Sequence, residues 1–251
     1  MPVLTPRQTS GSQVMPFPSG GWRLEIPPGV AGHYRLAQLD DYHSLPRRAF
    51  AWHPPLTLSI DCRASAEIIP GTWGFGLWND PFGLSLGFGG AQRLPTLPNA
   101  VWFFFASPPN YLSLRDDVPA QGGLSAVFQS KPWGTALFAV GAPLLPLFAL
   151  PPVARLFRRL GRQIVRQDAA KLLIDPSDWH SYHLEWGMRG VIFRTDGRTV
   201  LETPLAPTGP LGLVIWVDNQ YAAWPPSGRL SFGTLADSRA AWIETGPVTV
   251  G

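Results

Sequence analysis

The sequence predicts an all-β sandwich of many short strands, interrupted by one inserted amphipathic helical segment. Three observations carry this. Gly (26) and Pro (28) make up about a fifth of the 251 residues, and they punctuate aromatic and β-branched runs, the composition of sandwiches and barrels. Those runs are of strand length, and several alternate apolar and polar residues with period two. Only the segment 143–174 departs from this, with apolar residues at helical spacing and a cluster of arginines.

Residues 1–20 are rich in Pro, Ser, Thr and Gly and read as a flexible leader to one β-sandwich domain over 21–251. They contain no apolar run of signal-peptide length, so a cytoplasmic location is expected. Trp22–Ile26 and Tyr34–Leu39 read as short strands, and Leu56–Ala64 as a longer one. The lone Cys62 lies in that run, which excludes an intramolecular disulfide and a multi-cysteine zinc site; an inert buried thiol is expected. In Gly71–Asp80, Trp73, Phe75 and Leu77 alternate with glycines, so one strand face is left open for close approach by a backbone or a ring. Pro81–Gly90 reads as a Gly-rich loop or short strand.

Ala100–Ala106 is continuously apolar, as a strand buried on both faces would be. Tyr111–Leu114 and Leu124–Gln129 are the next strand candidates. Trp133–Ala154 then carries no charge over 22 residues, and arginines follow at once. Prolines 143, 146, 151 and 152 interrupt it and argue against a spanning helix. Val153, Leu156, Phe157, Leu160 and Ile164 fall on one helical stripe, with Arg155, Arg158, Arg159, Arg162 and Arg166 mostly on the other face. The segment 143–174 is therefore read as a hydrophobic loop plus a basic helix. Either its apolar stripe packs on the sandwich, or it docks on an anionic membrane surface through those five arginines.

From Asp178 to Glu202 the chain reads as a three-stranded meander. Tyr182, Leu184 and Trp186 alternate with polar residues, Gly187–Gly190 turns the chain, and Asp196-Gly197 is a two-residue hairpin signal. Pro210–Asn219 is a buried strand ending in polar residues, and Gly228–Thr234 and Ala241–Val250 close the domain. The basic balance is local: 151–174 has a net charge of +5 within a chain of +3. A nucleic-acid-binding surface is not implied.

The meander also resembles a known family. Trp179-His180-Ser181-Tyr182, then Glu185-Trp186, then Asp196-Gly197 is similar to the W-H-x-Y-x-x-E-W…D-G run of laminarinase- and lichenase-type (family 16) glycoside hydrolases. The resemblance implies a concanavalin A-like jelly-roll β-sandwich over roughly residues 50–250. Gly71–Trp78 would match the family's W-P-x-x-W strand and Leu211–Asn219 a late strand of the concave face. Retaining members need two carboxylates about 5–5.5 Å apart, which the family carries as E-x-D-x-E on the strand after W-P-x-x-W. Here that place holds Val101-Trp102-Phe103-Phe104-Phe105-Ala106-Ser107, with no acid on either face.

The expected function is therefore non-catalytic glycan binding, with Trp78, Asn79, Asp80, Trp102, Trp216, Asp218, Asn219 and Tyr221 as the candidate ligand-binding residues. Flat aromatic faces stack on sugar rings, and amides and carboxylates take hydroxyls. The alternatives are a divergent hydrolase with relocated acids among Asp80, Asp116, Asp117 and Asp218, and a membrane-peripheral protein docked through the insertion. An acid pair on the concave sheet would favour the enzyme; an apolar floor would favour a hydrophobic ligand. The five histidines show no ligand spacing, G-x-S-x-G is absent, and no metal or cofactor is expected. Oligomeric state leaves no mark in the sequence.

Overall fold

The computed structural model describes residues 3–81, 93, 95–118, 120–131, 147 and 150–251. Two antiparallel sheets pack face to face. One has seven strands in the order β1 (Thr5–Gln8), β4 (Leu36–Asp40), β13 (Gly212–Asp218), β6 (Thr72–Trp78), β7 (Ala100–Ala106), β8 (Gly122–Ser130) and β9 (Val165–Leu172). The other runs β12 (Arg198–Thr203), β11 (Val191–Thr195), β10 (His180–Trp186), β5 (Leu56–Ala64), β16 (Ala241–Thr245), β3 (Trp22–Ile26) and β2 (Gln13–Pro16), with β17 (Thr249–Val250) also on β5. A hairpin of β14 (Gln220–Ala223) and β15 (Ser231–Thr234) stands apart, and helix α1 (Pro151–Ile164) precedes β9.

The meander is β10–β11–β12, paired in sequence order. Its turn has φ of 51° at Asp196 and 74° at Gly197, left-handed values that Asp tolerates and Gly adopts freely. Tyr182, Leu184 and Trp186 face inward into the main core, where Tyr182 meets Phe75, Phe103 and Phe105 of the opposite sheet. Cys62 lies in this core, fully buried, and burial pushes its thiol pKa up, so it is inert there.

Three expectations need correction. Residues 5–8 and 13–16 are edge strands rather than part of a leader; edges tolerate Pro6 and Pro16 because one side of the strand has no partner. Val165–Leu172, read as the end of the helical insertion, is strand β9, whose buried residues are Val165, Ala169 and Leu172. Tyr111–Leu114 is irregular apart from a single bridge from Tyr111 to Ala223, and β14 goes unannounced by its short QYAA run. The Gly-rich run 82–90 and the start of the insertion, 143–146, lie outside the described residues. Among the described residues no helix is long and apolar enough to cross a membrane.

Candidate functional site

Side chains alternate across a strand, so each strand in the middle of the seven-stranded sheet contributes to two separate clusters. Val101, Phe103 and Phe105 of β7 join the core between the sheets, whereas Ala100, Trp102, Phe104 and Ala106 lie on the concave outer face. Trp73, Phe75 and Leu77 of β6 and Leu213, Ile215 and Val217 of β13 also point into the main core. Their alternates Trp78 and Trp216 stand beside Trp102. A groove runs along this face.

Its floor is aromatic. The Trp78 and Trp216 rings are 4° from parallel with centroids 6.4 Å apart, and Trp102 is tilted against both, at 5.8 and 5.7 Å. Phe104 stacks on Trp102 at 5.4 Å. Both outer indoles are pinned by their N–H groups: Trp78 Nε1 donates to Tyr42 Oη at 2.6 Å and Trp216 Nε1 to Thr72 Oγ1 at 3.0 Å. The glycines of β6 make this possible. A Cβ on Gly74 would stand 3.0 Å from Trp216 Cη2, and one on Gly76 (φ 152°) only 2.6 Å from Trp102 Cβ.

Polar groups hold the two ends. At one end Asp218, opposite Thr72 in the β13–β6 register, accepts from Thr72 Oγ1 at 2.8 Å, the Thr72 and Gln220 amides at 3.3 and 3.2 Å, and Tyr34 Oη at 3.3 Å. Burial pushes its carboxyl pKa up to about 6, and those hydrogen bonds oppose the shift without cancelling it. At the other end Asp80, in the left-handed region at φ 47°, is held by Arg93 Nη1 at 2.6 Å. Arg47 donates to the Asp80 carbonyl at 2.6 Å.

Of the candidate residues, Trp78, Asp80, Trp102, Trp216, Asp218 and Tyr221 line the groove. Asn79 and Asn219 do not. Asn79 binds Leu97 O and the Asn99 amide, and Asn219 binds the Arg35 amide and the carbonyls of His33 and Leu235, so both tie loops together. The groove also takes in Arg7, Tyr34, Gln38, Tyr42 and Asn110, which were not anticipated. Gln38 alone had a legible signal, as the polar alternate of a strand whose neighbours are apolar.

The four acids considered for relocated catalysis do not converge. Asp218 sits at the Thr72 end of β6 and Asp80 two residues beyond Trp78 at the other; six strand residues alone span about 20 Å, against about 5–9.5 Å for a glycosidase pair. Asp116 is bound by Arg158 at 2.8 Å and Arg162 at 2.6 Å, and Asp117 by Arg115 at 2.5 Å. On the opposite sheet Glu185 pairs with Arg194, and His180 with Asp196 at 2.7 Å. No cluster of three or more metal-ligating side chains occurs among the described residues.

Of the five arginines expected on the helix, Arg166 lies on β9 instead; it and Arg155, Arg159 and Arg162 are exposed. Arg158 is 3% exposed and so falls outside any surface set.

No protein-family model and no curated protein sequence matches the chain. Solved structures do. A family 16 endo-glucanase from Bacteroides ovatus, in complex with G4G3G-2F-DNP, aligns at a TM-score of 0.53 over 99% of this chain and 94% of its own, at 8% identity. A family 16 enzyme of the mixed-linkage glucan locus of the same organism, with a G4G4G3G product, gives 0.51, 8% identity and the same coverage. A κ-carrageenase from Pseudoalteromonas carrageenovora, in complex with an oligotetrasaccharide of κ-carrageenan, gives 0.50 and 12% identity over 96% of this chain and 82% of its own. Identities this low speak for architecture, and on that basis the chain is a concanavalin A-like jelly-roll β-sandwich, the fold of the family 16 glycoside hydrolases.

Proposed function

We propose that the groove binds a glycan and does not cleave it. The observation that carries this reading is the indole floor itself: two near-parallel Trp rings with a third tilted against both, and hydrogen-bonding groups around them. Sugar rings stack on such faces while their hydroxyls seek polar partners at the rim. The groove face of β7 offers Ala100, Trp102, Phe104 and Ala106, so nothing on that strand can serve as nucleophile or proton donor. Asp80 and Asp218 are too far apart to act as a pair. An apolar floor alone would suit a purely hydrophobic ligand; the polar groups Gln38, Thr72, Asn110 and Asp218 along its edge favour a polyhydroxylated one.

The test is calorimetric titration with a panel of β-glucan and sulfated galactan oligosaccharides, with reducing ends measured in parallel. At least one glycan is expected to bind, with no new reducing ends. Trp78→Ala and Trp216→Ala, checked for folding by circular dichroism, should each weaken binding about 30-fold, the effect of removing a central aromatic anchor. Absence of binding across the panel, or affinity unchanged in both variants, refutes the reading. Hydrolysis lost in Asp218→Asn or Asp80→Asn would replace it with the enzyme.

A further inference from the structure

Helix α1 is packed the wrong way round for a helix whose apolar stripe serves the core. Its buried residues are Ala154 and Arg158. The Arg158 guanidinium donates to the carbonyls of Trp224 at 2.6 Å, Ser113 at 2.9 Å and Leu114 at 3.1 Å, and to Asp116 at 2.8 Å. With that face turned inward, leucines of the stripe point out: Leu156 is 54% exposed and Leu160, one turn on, 44%. Leu150, just before the helix, is 53% exposed. Burying an arginine and exposing leucines inverts the ordinary preference of both residue types.

A second element continues this surface. The loop between β14 and β15 abuts the start of α1: Trp224 Nε1 donates to Ala154 O at 3.3 Å, and a Cβ on Gly228 would lie 2.3 Å from Pro151 O. Beyond Gly228 the chain presents Leu230, 38% exposed, and Phe232, 71% exposed. Exposed arginines accompany both elements: Arg155 and Arg159 on α1, Arg166 just after it, and Arg229 on the loop, while Arg162 pairs with Asp116. The helix contains no acidic residue.

We propose that α1 and the β14–β15 loop together form a docking surface for an anionic bilayer. Exposed leucines and a phenylalanine would enter the boundary between headgroups and acyl chains, while the arginines pair with lipid phosphates and carboxylates. The charge decides the occupant. A second copy meeting this patch about a two-fold axis would set the same arginines against each other, whereas an anionic lipid surface complements them. The inference does not depend on what the groove holds.

Co-sedimentation of the full chain with phosphatidylcholine vesicles, and with vesicles that also contain phosphatidylserine, tests it. The protein is expected to partition onto the mixed vesicles, weakly onto the neutral ones, and less as salt rises. Arg155→Gln and Arg159→Gln should each weaken binding about fivefold, the equivalent of about 1 kcal/mol per basic side chain near the surface. The double variant Leu156→Ser, Leu160→Ser should release the protein with its thermal midpoint held. Equal sedimentation with both vesicle types, or undiminished binding by all these variants, overturns the proposal. So does light scattering that shows a wild-type dimer which the leucine variant disperses.

Discussion

Asp218 makes the stability of this fold depend on pH in a direction opposite to most carboxylates. Its pKa is about 6 in the folded protein because burial disfavours the charged form, against an ordinary value near 3.9 in an unfolded chain. Between those two values the unfolded chain has released its proton while the folded one still holds it. The folded state then binds more protons, so stability falls as pH rises. A shift of roughly two units at 1.36 kcal/mol each amounts to about 3 kcal/mol, lost between about pH 4 and pH 6 and constant above. Asp218→Asn removes the titration but keeps an oxygen to accept from Thr72 and Gln220. Urea unfolding of both proteins at steps from pH 4 to pH 8 isolates the residue, since every other group titrates in both backgrounds. The variant should gain on the wild type by about 3 kcal/mol between pH 4 and pH 6 and then run parallel to it. Any fixed offset belongs to the lost Tyr34 partner. A difference that does not change with pH, or that changes in the opposite sense, refutes the assignment.

Three further outcomes test the floor, the helix and its anchor. Gly76→Ala places a methyl against Trp102 at a φ of 152° and should lower stability by roughly 1–3 kcal/mol in thermal melts; Gly161→Ala, which meets nothing within 4 Å, should raise it by about 0.5–1 kcal/mol. Arg158→Met strips the buried partner from Asp116 and from three carbonyls. It should cost about 3 kcal/mol and speed amide hydrogen exchange over residues 151–164, and unchanged exchange there would show that Arg158 does not anchor α1.

The elements legible in the sequence are those whose side-chain pattern and turn chemistry agree. Tyr182, Leu184 and Trp186 alternate, Asp196-Gly197 can only turn, and β10–β11–β12 follow within a residue or two of expectation. β1 and β2 were hidden because an edge strand tolerates the prolines and polar residues that otherwise mark a loop. β9 was hidden because VRQDAAKL has Val165 as its one β-branched residue, and its register comes from pairing with β8. In the groove, Trp78, Trp102 and Trp216 could be named from their strands, but Asn79 and Asn219 are each one residue away from a lining position. That step reverses the direction of the side chain. Helix α1 was legible as a helix, and its orientation was not. No periodicity announces that four polar partners await Arg158, and those partners outweigh the leucine stripe in deciding which face turns inward.

The alternation along the strands of the concave sheet also bears on how such a protein could change. In β4, β6, β7 and β13 the odd-numbered residues, from Ala37 and Leu39 through Trp73, Phe103 and Ile215, belong to the core between the sheets. The even-numbered ones, from Leu36 and Gln38 through Trp78, Trp102 and Trp216, belong to the groove. Inheritance can therefore rewrite one set while the other stays as it is. A lineage, or a randomised library, that varies the even positions of these four strands other than Gly74, Gly76 and Asp218 samples new ligands on a conserved scaffold, and one that varies odd positions samples stability. This separation gives a physical route by which one jelly roll could carry unrelated binding surfaces without being refolded.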